Sequence, residues 1–206
     1  CVLAWELVDG PELFDWFSAR ASPNISEAEA RGVFTQLVRA VACLHEQGYA
    51  HRDIKLENAL VTANGELKLI DFGMLTQTRT VPGPSELGTP SYLAPELRGP
   101  GQLDLFAADV FSLGVTLYIM VAGAMPWYKT YRLDQHFDAY RRLRAGQGVR
   151  DFVARLPAGR VIAQRMSDSL VRLLDDCMSL DPQRRPTATQ LLGYAWFTDP
   201  PPAAPP

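Results

Sequence analysis

The chain is poor in cysteine, carries no block of like charge and shows no excess of basic residues, and each absence closes a class of function. Its three cysteines, Cys1, Cys43 and Cys177, are scattered with no CxxC pair and no zinc-ligand spacing. That leaves out a disulfide framework and a zinc module, and reads as free thiols in a reducing compartment, the cytoplasm or nucleus. Cys43 falls on what reads as the apolar stripe of a helix, so core packing is expected for it. Lys and Arg number 20 against 23 Asp and Glu, a formal net charge of −3. With no run of five like charges, a nucleic-acid partner is not expected. There is no internal repeat. The first residues, Cys1-Val2-Leu3-Ala4-Trp5, show neither an initiator Met nor a signal peptide and read as the middle of a strand, so the chain is expected to be cut from a longer one. The uncharged run Val110–Tyr128 is long enough for a membrane span. Gly114, Gly123 and Pro126 interrupt it, and Ser112 and Thr116 add polar atoms, so a buried central helix is expected instead.

What is present organises as one domain, mostly helical. Val2–Val8 reads as a short strand, Asp9-Gly10-Pro11 as a turn, and Glu12–Ala19 as a helix opened by Pro11. Ser26 and Glu29 form a capping box. The helix it opens runs to His45 with Val33, Leu37, Val41 and Leu44 on one face, and ends at Gly48. Two strands, Ala59–Thr62 and Leu67–Ile70, flank Asn64-Gly65, a hairpin signal. Met74 to Leu87 reads as a loop of functional length. Helices are expected at Ala107–Ala122, His136–Ala145, Ser167–Met178 and Thr187–Ala195. Gln147 to Arg165 reads as a linker with Arg150, Arg155, Arg160 and Arg165 at regular spacing. A solvated face is the plain reading of it and a docking surface the alternative. The Pro-Ala tail at 199–206 reads as extended.

The chemistry concentrates in His51-Arg52-Asp53-Ile54-Lys55-Leu56-Glu57-Asn58. It lies between a helix and a hairpin, on a loop held by rigid elements. Asp53, Lys55 and Asn58 supply a proton acceptor, a fixed cation and a neutral oxygen ligand. Those are the parts that phosphoryl transfer needs to orient a hydroxyl, neutralise developing charge and hold Mg²⁺. Asp71-Phe72-Gly73 directly follows the second hairpin strand, so Asp71 and Asn58 can converge on one metal. Ala94-Pro95-Glu96 closes the segment that follows.

In this order and with this intervening structure, the three motifs resemble those of eukaryotic-type protein kinases. The resemblance covers nearly the whole chain. Lys55 and Gly88-Thr89-Pro90 resemble the serine/threonine type. Glu12-Leu13-Phe14-Asp15, Leu56-Glu57-Asn58 and Trp196-Phe197 resemble the calmodulin-dependent and AMP-activated branch. The fold it implies is mainly α with a small β-hairpin: residues 1–8 as the last strand of an N-terminal lobe and hinge, and 9–198 as the C-terminal lobe. The cofactors it implies are ATP and Mg²⁺, and the partners are protein substrates bearing Ser or Thr and an upstream kinase.

By the same resemblance Asp53 is the catalytic base, flanked by Arg52, and Lys55 pairs with the transferred phosphate. Asn58 and Asp71 hold the metal. Glu6 and Val8 supply hinge backbone to adenine, Glu12 contacts the ribose, and Leu60 floors the base. Glu57 belongs to the nucleotide site and, with Glu12, resembles acids that meet arginines upstream of the target hydroxyl. Ile119 stands where related kinases place another acid. Thr89 positions substrate. Ser85, three residues before Gly88, matches a regulatory phosphosite whose partner is Arg52; Glu86 is the rival anion, and Thr76, Thr78 and Thr80 are weaker candidates. Asp109 caps the catalytic-loop backbone, Glu96 and Arg185 form an internal ion pair, and Trp5 is the gatekeeper.

Two features depart from the pattern. No Gly-rich loop, lysine strand or glutamate-bearing helix stands before the hinge, so the ATP phosphates have a floor without a roof. The 147–165 stretch is also about ten residues longer than the usual link. The chain is therefore expected to be a kinase fragment, or a truncated module that no longer catalyses.

Overall fold

In a computed structural model the described residues are 6–19, 25–128, 130, 134–143, 148–156 and 159–198. They form nine helices, α1 (Leu13–Ser18), α2 (Glu27–Glu46), α3 (Leu105–Ala122), α4 (Gln135–Leu143), α5 (Val149–Arg155), α6 (Gly159–Arg165), α7 (Asp168–Cys177), α8 (Ala188–Leu191) and α9 (Ala195–Thr198). Four short strands, β1 (Ala59–Val61), β2 (Leu67–Leu69), β3 (Thr80–Pro82) and β4 (Gln102–Asp104), pair antiparallel as β1–β2 and β3–β4. The expected strand at Val2–Val8 is not seen at residues 6–8, and its first residues lie outside the described ones, as do Trp5, Cys1 and the 199–206 tail.

Helix α2 forms because its ends and its stripe agree. The Ser26 hydroxyl accepts from the Glu29 amide while the Glu29 carboxylate accepts from the Ser26 amide, so the capping box closes. Val33, Leu37 and Val41 are buried along it. Cys43 is not, contrary to expectation. It follows Val41 by two residues, about 200° around a helix, and so faces solvent. Its thiol accepts a 3.2 Å bond from Gln47. Cys177 is fully buried in α7, and that burial raises its pKa far above the ordinary thiol value. We therefore expect iodoacetamide to alkylate Cys43 in the native chain and to reach Cys177 only in denaturant. Equal rates at the two sites, read by peptide mass spectrometry, would contradict this packing.

The apolar run around Gly114 is the buried centre of the molecule. α3 is long and apolar enough for a span, yet it lies buried along nearly its whole length against α2 and α7. The Asp104 carboxylate caps it, accepting from the amides of Phe106 and Ala107.

Three further expectations are corrected. The loop after Asp71 contains β3, whose partner β4 lies 22 residues downstream in register Val81↔Leu103; three-residue strands are too short to show a period. The expected helix at Thr187–Ala195 breaks at 192–194 into α8 and α9. The stretch from 147 to 165 is not a solvated linker. It holds α5 and α6, and Val149, Phe152, Val153 and Ala163 are buried. Phe152 packs on Tyr140 and Trp127 at ring-centroid distances of 5.3 and 6.1 Å.

Candidate active site

Two anchors hold the loop between α2 and β1. The first is Asp109 of α3, 1 % exposed. One of its oxygens, Oδ1, accepts from the Arg52 amide at 2.8 Å. The other, Oδ2, accepts from the His51 amide at 2.8 Å and from His45 Nε2 at 3.0 Å. A buried carboxylate persists only with such donors, and here they fix the two peptide groups that lead into Arg52, whose φ is 71°. The second anchor is His51. Its Nε2 donates to the Ile70 carbonyl at 3.2 Å and its Nδ1 accepts from the Asp53 amide at 3.3 Å. Burial lowers its pKa and outweighs the surrounding carboxylates, which favours the neutral ring that this bonding pattern requires. One imidazole thereby ties the loop to the residue preceding Asp71. Sequence reasoning assigns neither His45 nor His51 a role, because nothing in their spacing reports a long-range contact.

Asp53 sits at the centre, 6 % exposed. Its Oδ1 accepts from the Thr89 amide at 3.0 Å and the Thr89 hydroxyl at 2.8 Å. Its Oδ2 accepts from Asn58 Nδ2 at 2.9 Å and pairs with Lys55 Nζ at 2.8 Å. Lys55 also donates to Thr89 Oγ1 at 2.9 Å. Burial works to raise the Asp53 pKa, but the bonds from Lys55 and Thr89, the Lys55 charge and the Asn58 bond together hold it below the ordinary carboxylate range. The stability this lends is present above that range and is lost as pH falls through the lowered value. A site built this way holds a carboxylate ionised beside a hydroxyl and a fixed ammonium.

Gly88 allows Thr89 to come so close. Its φ is +118°, and a Cβ there would lie 2.6 Å from the Arg52 carbonyl oxygen. The same closure brings Ser85 to Arg52, whose Nη2 donates to Ser85 Oγ at 2.9 Å. Glu86, the rival anion for Arg52, instead pairs with Arg98 at 3.1 Å.

Asn58 commits its amide nitrogen to the Asp53 carbonyl at 2.8 Å and to Asp53 Oδ2, which leaves its Oδ1 for a cation. The Ile70 amide donates to the Asn58 carbonyl at 2.9 Å, so Asp71, exposed and with φ 59°, begins beside it. One amide oxygen and one carboxylate suit Mg²⁺, which takes few protein ligands and completes its shell from phosphate and water. Among the described residues no group of three or more His, Cys, Asp or Glu could hold a metal alone.

The residues expected around the nucleotide gather at the hairpin. Glu12 bridges Leu60, Leu60 pairs with Lys68, and Lys68 lies 3.3 Å from Glu6. Val8 is half-buried. Glu57 accepts from the Tyr92 hydroxyl at 3.4 Å. Ile119 is buried within α3.

The Protein kinase domain family matches residues 1–197 of this chain. The maternal embryonic leucine zipper kinase of Danio rerio is 36% identical over 195 residues, covering 93% of this chain and 26% of that protein. The putative CBL-interacting protein kinase 13 of Oryza sativa subsp. japonica is 38% identical over 197 residues, covering 93% and 35%. The sperm motility kinase 3A of Mus musculus is 34% identical over 201 residues, covering 96% and 36%. The chain thus spans about a quarter to about a third of the length of these relatives. A match across nearly every residue, on top of the motif order and loop geometry, makes this chain a member of the protein kinase domain family, of the serine/threonine type that its motifs resemble.

Proposed function

We propose that residues 9–198 are the C-terminal lobe of a serine/threonine protein kinase, following a hinge at 1–8, and that a longer chain containing it transfers the ATP γ-phosphate to Ser or Thr hydroxyls of intracellular proteins. The observation that carries this reading is the Asp53 carboxylate, ionised and clasped by Lys55, Asn58 and Thr89. The substrate hydroxyl displaces one of these donors and is oriented by Asp53, which accepts its proton. Lys55, already between Asp53 and the Thr89 hydroxyl, turns its charge to the transferred phosphoryl group. Asn58 Oδ1 and the Asp71 carboxylate would hold Mg²⁺, which when bound supplies charge neutralisation across the phosphate oxygens. Glu6 and Val8 backbone, Glu12 and Leu60 line the side where adenine and ribose of ATP would lie.

The alternative reading is a non-catalytic interaction module. The two part on one assay. The 206 residues alone are expected to transfer no measurable phosphate to a Ser/Thr peptide, whereas a longer form supplying the clamp does so. Steady transfer by the 206 residues, abolished by Asp53→Asn, would refute the C-lobe assignment; an inactive longer form would favour the module.

Ser85 is the proposed activating phosphosite, modified by an upstream kinase. Support comes from the Arg52 guanidinium on its hydroxyl and from Glu86 being engaged elsewhere. A phosphate there would replace a neutral bond by charge-assisted ones. Ser85→Ala is expected to lower the turnover of the activated longer form by about ten- to a hundredfold, as loss of roughly 1.5–3 kcal/mol of charged hydrogen bonding implies. Unchanged turnover, with Ser85 unmodified in the active protein by mass spectrometry, would dispose of the assignment.

A further inference from the structure

The helical hairpin of α5 and α6 stands apart from the proposed chemistry, and it is built firmly. The Val149 amide donates to Asp175 Oδ1 at 2.8 Å, tying its first turn to α7. Phe152 inserts among Tyr118, Trp127 and Tyr140. Where the second helix turns back, Gly159 is buried against the Val153 carbonyl oxygen, and a Cβ there would collide with it. The inner face is thus core, and the outer face is held rigid.

That outer face has an uncompensated charge. Arg160, Val161, Gln164 and Arg165 follow the i, i+1, i+4, i+5 spacing of one helix side, and all four are exposed. Val161 is 53% exposed. α6 contains no acid, and neither Arg160 nor Arg165 has an acidic partner among the described residues. In the adjoining groove, of about 680 Å³, Arg150 is neutralised by Asp168 at 2.7 Å, yet its buried Nε has no hydrogen-bond partner. The whole chain has net charge −3, so this basic-apolar strip has the opposite sign to the body that carries it.

We infer that the exposed side of α6 is a docking surface for an acidic peptide segment of a protein partner, with an apolar residue of that segment seated on Val161 between the two arginines. Charge complementarity selects the partner, and rigidity of the hairpin lowers the entropy cost of binding it.

The test is fluorescence anisotropy of the full chain with a fluorescein-labelled peptide of alternating Glu and Leu, and with its Lys and Leu counterpart. The acidic peptide is expected to bind and the basic one not to, with affinity falling as NaCl rises from 50 to 500 mM. The double variant Arg160→Glu/Arg165→Glu should weaken binding at least about tenfold, and Val161→Asp about fivefold. Arg39→Glu, an exposed arginine on α2, should change it less than twofold. All these sites are exposed, and unchanged thermal midpoints would verify folding. No binding, or equal loss with Arg39→Glu, overturns the proposal. So does binding to phosphatidylserine vesicles without peptide binding, or self-association that the double variant abolishes, since the occupant would then be a membrane or a second copy of the chain.

Discussion

In a longer form of the chain that carries the phosphate clamp, Asp53→Asn is expected to lower turnover by about 10²- to 10⁴-fold, the range that a positioned proton acceptor contributes. The substitution keeps the shape and inverts one half of the chemistry. Each Asp53 oxygen now accepts two protein donors, from Thr89 on one side and from Lys55 and Asn58 on the other. An Asn amide nitrogen on either side would face donors with a donor, and the charge that balances Lys55 would be gone. Nucleotide affinity should change little, because Asp53 lies on the hydroxyl side of the proposed transfer. Steady-state kinetics with a Ser/Thr peptide, together with a nucleotide titration, decide the matter. A loss of less than tenfold in turnover would show that Asp53 is not the acceptor.

The second large effect concerns stability. Arg185→Ala is expected to destabilise the chain by about 3–5 kcal/mol, the usual consequence of removing one partner of a buried ion pair. The Arg185 side chain is fully buried, and its guanidinium pairs with Glu96 at 2.6 and 2.8 Å, donates to the carbonyls of Ser179 and Ala107 at 2.9 Å, and lies 4.9 Å from the Phe111 ring centre. Truncation leaves a carboxylate and two carbonyls without their donor, together with a cavity against an aromatic ring. The pair joins the end of the Ala94-Pro95-Glu96 segment to the turn before α8, so the loss reaches the base of the substrate-side loop. Urea unfolding of the 206-residue chain, with the shift in midpoint read at constant slope, measures it. A change below about 1 kcal/mol would mean that the pair is solvated in solution.

Much of this is legible in the sequence itself. The capping box at Ser26 and Glu29, the hairpin at Asn64-Gly65 and the uncharged run that became α3 are local signals, and each survives because it needs only neighbours within a few residues. The convergence of Asp53, Lys55 and Asn58 was legible for the same reason, since they share one short loop. Cys43 was misplaced because an apolar residue near a stripe was read as part of it, when its angle around α2 puts it on the other side. Helices α5 and α6 were missed because regularly spaced arginines masked Val149, Phe152 and Val153, and Phe152 is buried against aromatic rings supplied by α3, α4 and the segment between them.

By itself the sequence determined the family and its motif order, because those reside in runs of adjacent residues whose chemistry is visible as text. The tertiary structure alone decided that Thr89 joins the donors around Asp53, that Arg52 meets Ser85 while Glu86 turns to Arg98, and that His45 and His51 carry the loop. Those contacts join residues from 12 to 64 positions apart. Each forms only when helix packing brings its partners within about 3 Å, a distance that composition and periodicity do not encode.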